Sequence, residues 1–170
     1  MPALLTHDCF GRDVLDRDGG VLGGDAGSAA EPAAEFAAEL RHAFLLGNQG
    51  PDPFFFALRT LRLGTIKRFG SLMHRERVDE TVEAFCRLAC AQPGPAGSLL
   101  HAYLLGFVCH FMLDSVMHPF VYAQQYAICD AGVKGLDRRD GSVVHGQIEA
   151  DLDAMLVRQR RGEGIRTYRY

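Results

Sequence analysis

One apolar segment of the sequence carries two histidines and an aspartate at intervals of four residues: His110, Asp114 and His118. In an α-helix each step of four turns about 40° beyond a full turn, so the three side chains would share one face. Imidazole nitrogens and carboxylate oxygens are ligands that zinc accepts. The competing interpretation is a row of hydrogen-bonded core residues, each of which would need a buried partner. The spacing favours a metal site.

A second pair with the same spacing is His145 and Glu149. Taken alone, such a pair is more typical of a helix surface, where it contributes roughly a few tenths of a kcal/mol. The apolar neighbours Val144 and Ile148 indicate that this face borders the core. Their presence weakens the surface interpretation.

Asp52 stands between two prolines, Pro51 and Pro53, which restrict the backbone on both sides and predict a stiff turn. A stiff turn suits a carboxylate aimed at a metal or its bound water. It suits a simple helix N-cap equally well, so the local sequence leaves both interpretations open.

Four more histidines lie outside these motifs. His7 and His74, each taken alone, are more typical of structural or surface residues. His42 and His101 have no partner at a ligand-like spacing and are assigned to packing or to the surface.

Helical periodicity must position these residues, because no segment alternates convincingly with period two. The predicted helices are 8–17, 33–46, 53–63, 77–91, 99–124 and 143–160. The predicted irregular segments are a flexible Gly-rich loop at 18–31, a helix-breaking stretch at 92–98, a polar loop at 130–142 and a frayed basic tail at 158–170. The predicted fold class is all-α.

The segment 99–122 is long and apolar enough to raise the question of a membrane span. However, Asp114 lies near its centre, and an aspartate there costs roughly 2.5–3.5 kcal/mol on insertion scales. A helix that is apolar on nearly all sides and has one polar stripe is typical of the centre of a soluble bundle. We therefore expect a buried helix and no transmembrane span.

The composition is that of an ordinary globular protein. The 170 residues are 48% hydrophobic and 23% charged, which fits one domain over 1–170 and excludes a disordered or fibrous chain. The net charge is −3, so no basic surface indicates long nucleic acid as a partner.

Five cysteines without a C-x-x-C pair indicate reduced thiols. The N-terminus shows no signal-peptide pattern, so the expected location is the cytoplasm.

Together the motifs resemble the zinc-dependent phospholipase C family, especially its signal-less bacterial members. The resemblance covers the chain from about His7 to Leu156. Its motifs, in family order, are His7 followed by F-G-x-D-V-L, G-P-D at 50–52, M-H at 73–74, A-Y-L-L-G-F-V-C-H-F-M-L-D-S-V-M-H-P-F-V at 102–121, and H-G-Q-I-E-A-D-L-D at 145–153.

The resemblance implies a helical bundle around a central site for two to three zinc ions. The implied ligands of the first zinc are Asp52, His74, His110 and Asp114. The implied ligands of the second are His118, His145 and Glu149. His7 and Asp114 would contribute to a third ion, with Asp114 bridging.

The implied activity is hydrolysis of a phosphodiester, in this family a phospholipid cleaved on the glycerol side of the phosphate. Zinc lowers the pKa of a bound water to about 7, and the resulting hydroxide would attack phosphorus. Asp52 would orient or deprotonate that water. The expected partners are a phospholipid or another phosphodiester and, transiently, a membrane surface. Whether the chain forms a homo-oligomer stays open.

A single-strand nuclease with the same fold and ligands is one alternative. It would need aromatic stacking partners near the metals. Phe54, Phe55 and Phe56 follow Asp52, although consecutive aromatic residues are more typical of a core. The slightly acidic chain argues mildly against long nucleic acid.

Two further alternatives concern other classes of protein. The family often carries further helices after its H-x-x-x-E segment, whereas this chain ends at Tyr170, soon after Glu149. A C-terminally short, non-catalytic metal-binding protein is therefore one alternative. The dipeptide His7-Asp8 weakly matches HD-type phosphohydrolases, whose motif order does not fit the second metal motif.

Overall fold

The computed structural model describes residues 4–17, 34–55, 63–162 and 164. These residues contain helices and no strand, so the predicted all-α fold class is confirmed. The α-helices are α1 (Leu4–Arg17), α2 (Ala34–Gly47), α3 (Leu63–Arg75), α4 (Val78–Ala91), α5 (Gly94–Cys129) and α6 (Gly141–Arg161). Two short 3₁₀ helices span Asp52–Phe55 and Arg138–Asp140.

The chain divides into two compact units. One unit contains residues 1–9 and 112–170, and therefore the start of α1, the second part of α5 and all of α6. The other contains residues 10–111, and therefore the rest of α1, α2 to α4 and the first part of α5. The division concerns compactness alone, and the single domain expected over 1–170 stays a prediction.

The core of the 10–111 unit lies between α2 and α5. Leu40 and Phe44 of α2 and Ala102 of α5 form a buried cluster in which Phe44 is fully covered. Apolar residues three and four positions apart on α2 supply its buried stripe. The partly buried side chains packed against the cluster are Val14, Leu15, Phe36, Ala43, Leu45, Leu99, Leu105 and Cys109.

Two glycines let α2 and α5 approach each other backbone to backbone. A Cβ on Gly47 would overlap the carbonyl oxygen of Tyr103, and a Cβ on Gly106 would overlap the carbonyl oxygen of Phe44. Only a residue without a side chain fits at either position. This close packing fixes the part of α5 that carries His110.

The helix α5 is longer than the sequence predicts. Residues 94–98 belong to it, so the helix-breaking stretch predicted at 92–98 is wrong for those residues. Pro95 is the second residue of α5, where a backbone N–H has no acceptor within the helix and proline is tolerated. Pro119 lies inside the helix, which nevertheless continues to Cys129.

The helix α3 is not predicted by the sequence. The sequence predicts a helix at 53–63, whereas residues 52–55 form a 3₁₀ helix, residues 56–62 lie outside the described residues and α3 covers 63–75. Two glycines, Gly64 and Gly70, weaken the helical signal of this segment. Gly70 is buried, and a Cβ there would lie 2.9 Å from the Cβ of Phe54. The second glycine therefore lets α3 pack on the 3₁₀ helix.

Other boundaries shift by a few residues. α1 begins at Leu4 rather than at residue 8, and the polar loop predicted at 130–142 contains the second 3₁₀ helix and the start of α6. Residues 158–161 of the predicted basic tail belong to α6. The predicted loop at 18–31 and residues 163 and 165–170 of the tail lie outside the described residues.

By length and composition alone, α5 is apolar enough to cross a membrane. This is weak support for a span, because core helices of soluble proteins pass the same test. In its most apolar window 33% is buried, so α5 is less buried than the sequence predicts. Met112, Val116 and Phe120, spaced by four, are exposed by 59%, 72% and 49%.

Candidate metal sites

His110, Asp114 and His118 lie on one continuous helix, α5. His110 is fully buried, while the side chains of Asp114 and His118 are 15% and 27% exposed. Their spacing of four places all three on one helix face. The helix face that carries these three polar residues is therefore mostly shielded from solvent.

The first candidate group, here called the Asp52 group, belongs to the 10–111 unit and contains Asp52, His74 and His110. Each residue offers one donor atom, and these atoms lie within 4.8 Å of one another. His74 Nδ1 is 3.7 Å from Asp52 Oδ1, and the rings of His74 and His110 meet edge to face with centroids 5.2 Å apart. Asp52 is only 1% exposed.

The turn before Asp52 explains how its carboxylate is held. Gly50 has a φ of 55°, in the left-handed region that favours glycine. A Cβ on Gly50 would overlap the ring of His110. The Asp52 amide then donates to the carbonyl oxygen of Gln49 (3.2 Å), and the 3₁₀ helix begins. Gly50 thus seats the His110 ring beside Asp52.

His74 reaches this group from the last turn of α3. The ring of Phe55 lies 6.3 Å away and that of Phe111 lies 5.8 Å away, centroid to centroid. Aromatic packing on two sides restricts the rotation of the imidazole. His74 also precedes α4, and its place on a helix was not predicted because α3 was not predicted.

The second candidate group, here called the Glu149 group, belongs to the other unit and contains His118, His145 and Glu149. Its donor atoms also lie within 4.8 Å of one another. Glu149 Oε1 is 3.1 Å from His145 Nε2 and 3.6 Å from His118 Nε2. Glu149 is 7% exposed, so the His145–Glu149 pair is not the surface pair that its spacing alone would favour.

His7 and Asp114 meet within the same unit. His7 Nε2 is 3.2 Å from Asp114 Oδ1, and His118 Nδ1 is 3.9 Å from Asp114 Oδ2. His7 is 3% exposed. Asp114 therefore has an imidazole near each of its oxygens. His42 and His101, which were assigned to packing or to the surface, are both exposed.

Asp153 explains why His7 lies where it does. Its carboxylate accepts hydrogen bonds from the backbone N–H groups of Leu5 (3.3 Å) and Thr6 (2.8 Å) and from the Thr6 hydroxyl (2.7 Å). These bonds hold the first turn of α1, where helical N–H groups have no intrahelical acceptor. This role of Asp153 was not predicted, although Asp153 continues the four-residue spacing of His145 and Glu149.

The surroundings shift the pKa values of His118 and Asp153, which both lie in the 112–170 part of the chain. The pKa of His118 is raised, first by its hydrogen bond to Glu149 and then by the negative charges of Asp114 and Glu149, against the opposing effect of burial. The pKa of Asp153 is raised because burial outweighs the hydrogen bonds from Thr6 and Leu5. Acidic residues therefore create a local preference for a positive charge at His118.

The donor sets fit zinc. Zinc takes imidazole nitrogens and carboxylate oxygens at about 2.0–2.2 Å in a tetrahedral arrangement, which separates neighbouring donors by about 3.4 Å. The nitrogen–oxygen separations of 3.1 and 3.6 Å in the Glu149 group and 3.7 Å in the Asp52 group bracket that value. Each group can supply three protein ligands and leave a fourth position open, as catalytic zinc sites do.

Comparison with known proteins identifies a family for this chain. The family model described as zinc dependent phospholipase C matches residues 26–167 of the 170-residue chain. No curated protein and no solved structure matches the chain significantly. The matched range contains both candidate groups and leaves His7 outside.

Proposed function

The chain belongs to the zinc-dependent phospholipase C family, and we propose that it hydrolyses a phosphodiester, with a phospholipid as substrate. The observation that carries the proposal is the pair of groups in which two histidines and one carboxylate bring their donor atoms within 4.8 Å. Ionisable groups with little access to water are costly unless opposite charges compensate them. A divalent cation in each group would compensate the carboxylate and use the imidazoles as neutral ligands.

We propose one zinc ion for each group. The proposed ligands are Asp52, His74 and His110 for one ion and His118, His145 and Glu149 for the other. The family resemblance adds Asp114 as a further ligand, and Asp114 lies one helical turn from His118 on α5. A third ion between His7 and Asp114 follows from their separation of 3.2 Å and from the family resemblance.

Bound zinc supplies acidified water and neutralises phosphate oxygens. The chain's own contribution is to hold the ligands before substrate arrives, since Gly50 and the 3₁₀ helix fix Asp52 and the first turn of α1 fixes His7. Asp52 also orients the attacking water or accepts its proton. In the reaction the water oxygen bonds to phosphorus, the ester bond to the glycerol oxygen breaks, and the alcohol leaves with a proton.

The test compares two histidines of α5. His110→Gln removes a proposed ligand, whereas His101→Gln changes an exposed histidine of the same helix that belongs to neither group. Bound zinc is measured by elemental analysis, and hydrolysis is measured on phosphatidylcholine and on a soluble chromogenic phosphodiester. We expect His110→Gln to lose zinc and at least about a hundredfold in activity, and His101→Gln to retain both.

The outcomes separate the alternatives. A zinc-loaded wild-type protein that hydrolyses no phosphodiester would overturn the proposal and support a non-catalytic metal-binding protein. A wild-type protein that takes up no zinc would overturn both interpretations. Equal losses in His101→Gln and His110→Gln would remove the assignment of His110 as a ligand.

One observation favours a second candidate function, a single-strand nuclease. Tyr122 is 44% exposed, and its ring lies 5.7 Å from that of His118 and 5.0 Å from that of His145. Tyr126 stacks on Tyr122 at 6.4 Å. Exposed aromatic rings beside a metal site can stack on unpaired bases. Cleavage of single-stranded DNA without cleavage of phospholipid would favour this function.

The proposed setting is a water-soluble protein of the cytoplasm that touches a membrane during turnover. The proposal rests on the polar stripe of α5, which would be costly inside a bilayer. Recovery of the expressed chain in the soluble fraction without detergent is the expected result. Extraction only by detergent would contradict it.

A further inference from the structure

We propose that Gln125 is a positioning residue that fixes the tautomer of His145, a role that rests on the proposed function of His145 as a zinc ligand. His145 Nδ1 lies 3.0 Å from Gln125 Oε1, and His145 Nε2 lies 3.1 Å from Glu149 Oε1. The ring is therefore held between an amide on one side and a carboxylate on the other.

Both partners of the ring are oxygens that only accept, so a neutral His145 can donate to just one of them. When Nδ1–H donates to Gln125 Oε1, the lone pair of Nε2 is directed at Glu149 and is available to a cation. Gln125 therefore favours the tautomer that a metal ligand needs. In that tautomer His145 Nε2 and Glu149 Oε1 are two acceptors 3.1 Å apart, and they attract a cation into the space between them. The same Glu149 oxygen lies 3.6 Å from His118 Nε2, so this space is bordered by all three members of the Glu149 group.

The backbone of α6 makes room for this amide. A Cβ on Gly141 would lie 2.7 Å from Gln125 Nε2, closer than side chains tolerate. The glycine at the start of α6 therefore lets the amide approach with its nitrogen towards the backbone and its oxygen towards His145. The contact links α5 and α6 within the 112–170 part of the chain.

Gln125 also lies on the ligand-bearing face of α5. It follows His118 by seven residues, which is two helical turns. Hydrogen bonds to the second nitrogen of a ligating histidine orient the ring, and their loss typically lowers metal affinity by about 10–100-fold.

The test uses two neighbouring glutamines. Gln125→Met keeps the length of the side chain and removes the acceptor, whereas Gln125→Glu keeps an acceptor. Gln124→Met is the matched control, since Gln124 is exposed on the same helix. Zinc affinity is measured by competition with a chelating dye, and the tautomer of His145 is measured by nitrogen-15 NMR of the zinc-free protein at a pH where the ring is neutral.

We expect Gln125→Met to lose about 10–100-fold in zinc affinity for one ion and to show a smaller share of the Nδ1–H tautomer at His145 than the wild type. Gln125→Glu should bind zinc at least as tightly as the wild type, and Gln124→Met should match it. Wild-type affinity and a wild-type share of the Nδ1–H tautomer in Gln125→Met would overturn the proposal. So would an equal loss in Gln124→Met.

A second variant and the tautomer measurement keep the positioning role of Gln125 testable. If Gln125→Met fails to fold, Gly141→Ala displaces the same amide from the other side and should lower zinc affinity in the same direction. If the wild-type protein binds no zinc, the proposed function fails. The tautomer in the zinc-free protein then still decides the positioning role.

Discussion

Gly50 is the residue whose backbone most directly determines the Asp52 group. An alanine there must adopt a φ of 55° and place its Cβ on the ring of His110. We expect Gly50→Ala to lower the free energy of unfolding by about 1–3 kcal/mol and to weaken zinc binding. Urea unfolding and zinc titration measure the two effects.

Gly64→Ala is the matched control, because a Cβ at Gly64 of α3 would meet open space. Alanine is the better helix former, so this variant should be unchanged or more stable by up to about 1 kcal/mol. Equal destabilisation of the two variants would show that Gly50 has no special role.

The raised pKa of His118 predicts a pH dependence. Its hydrogen bond to Glu149 raises the pKa above the ordinary value of 6.5, so the folded protein favours the charged ring. In zinc-free protein this stabilisation is fully present below the unfolded pKa and is lost as pH rises through the folded pKa. Thermal unfolding of wild type and His118→Gln in chelator, from about pH 5.5 to about pH 8.5, should show a difference in Tm that shrinks as pH rises.

Zinc reverses the trend, because the ion and the proton compete for His118. Zinc affinity should rise with pH over the same range in the wild type. A difference in Tm between the zinc-free proteins that grows with pH would contradict the assigned direction of the shift.

Among the helices, α1 is anchored to α6 by Asp153, and substitution of this single residue would remove the anchoring. Asp153→Asn replaces one accepting oxygen by a donor that faces the N–H groups of Leu5 and Thr6. We expect a loss of about 1–3 kcal/mol in stability and faster amide hydrogen exchange at Leu5 and Thr6.

Asp151→Asn is the control on the same helix, since Asp151 is exposed and accepts only a surface hydrogen bond from Gln147 (2.9 Å) among the bonds described. Its stability should change by less than about 0.5 kcal/mol. If both variants retain wild-type exchange at Leu5 and Thr6, the anchoring role is wrong.

The elements differ in how far the sequence could predict them. The apolar periodicity of α5 and α6 was strong enough to locate both helices, and the four-residue spacing placed His110, Asp114 and His118 on one face. α3 was not predicted because Gly64 and Gly70 are typical of loops. The packing of Gly70 on Phe54, which explains the second glycine, is known only from the structure. The start of α5 was missed because proline is usually interpreted as a helix breaker. Pro95 lies in the first turn of α5, where a helix tolerates proline.

Contacts between residues distant in sequence were beyond prediction. Thr6 and Asp153 are 147 positions apart, and Gln125 and His145 are 20 apart, so no periodicity connects either pair. The grouping of Asp52 with His74 and His110 followed only from family resemblance. The separations within these groups required the structure.

At the scale of the whole molecule, zinc should govern stability. A ligand that binds only the native state stabilises by about 4 kcal/mol per site when its free concentration is a thousandfold above its Kd. For a chain of this size, that corresponds to a rise in Tm of about 8–16 °C for each site. Calorimetry with zinc and with chelator measures the effect, and an unchanged Tm would contradict zinc binding by either group.

The four-residue spacing of His110, Asp114 and His118 on α5 limits where the length of this gene can vary. Inserting or deleting one codon between those for Asp114 and His118 would rotate the second side chain by about 100° and shift it by about 1.5 Å relative to the first. Substitutions at the intervening positions leave that relation intact. Natural length variation should therefore collect in the connections between helices and be absent from residues 110 to 118.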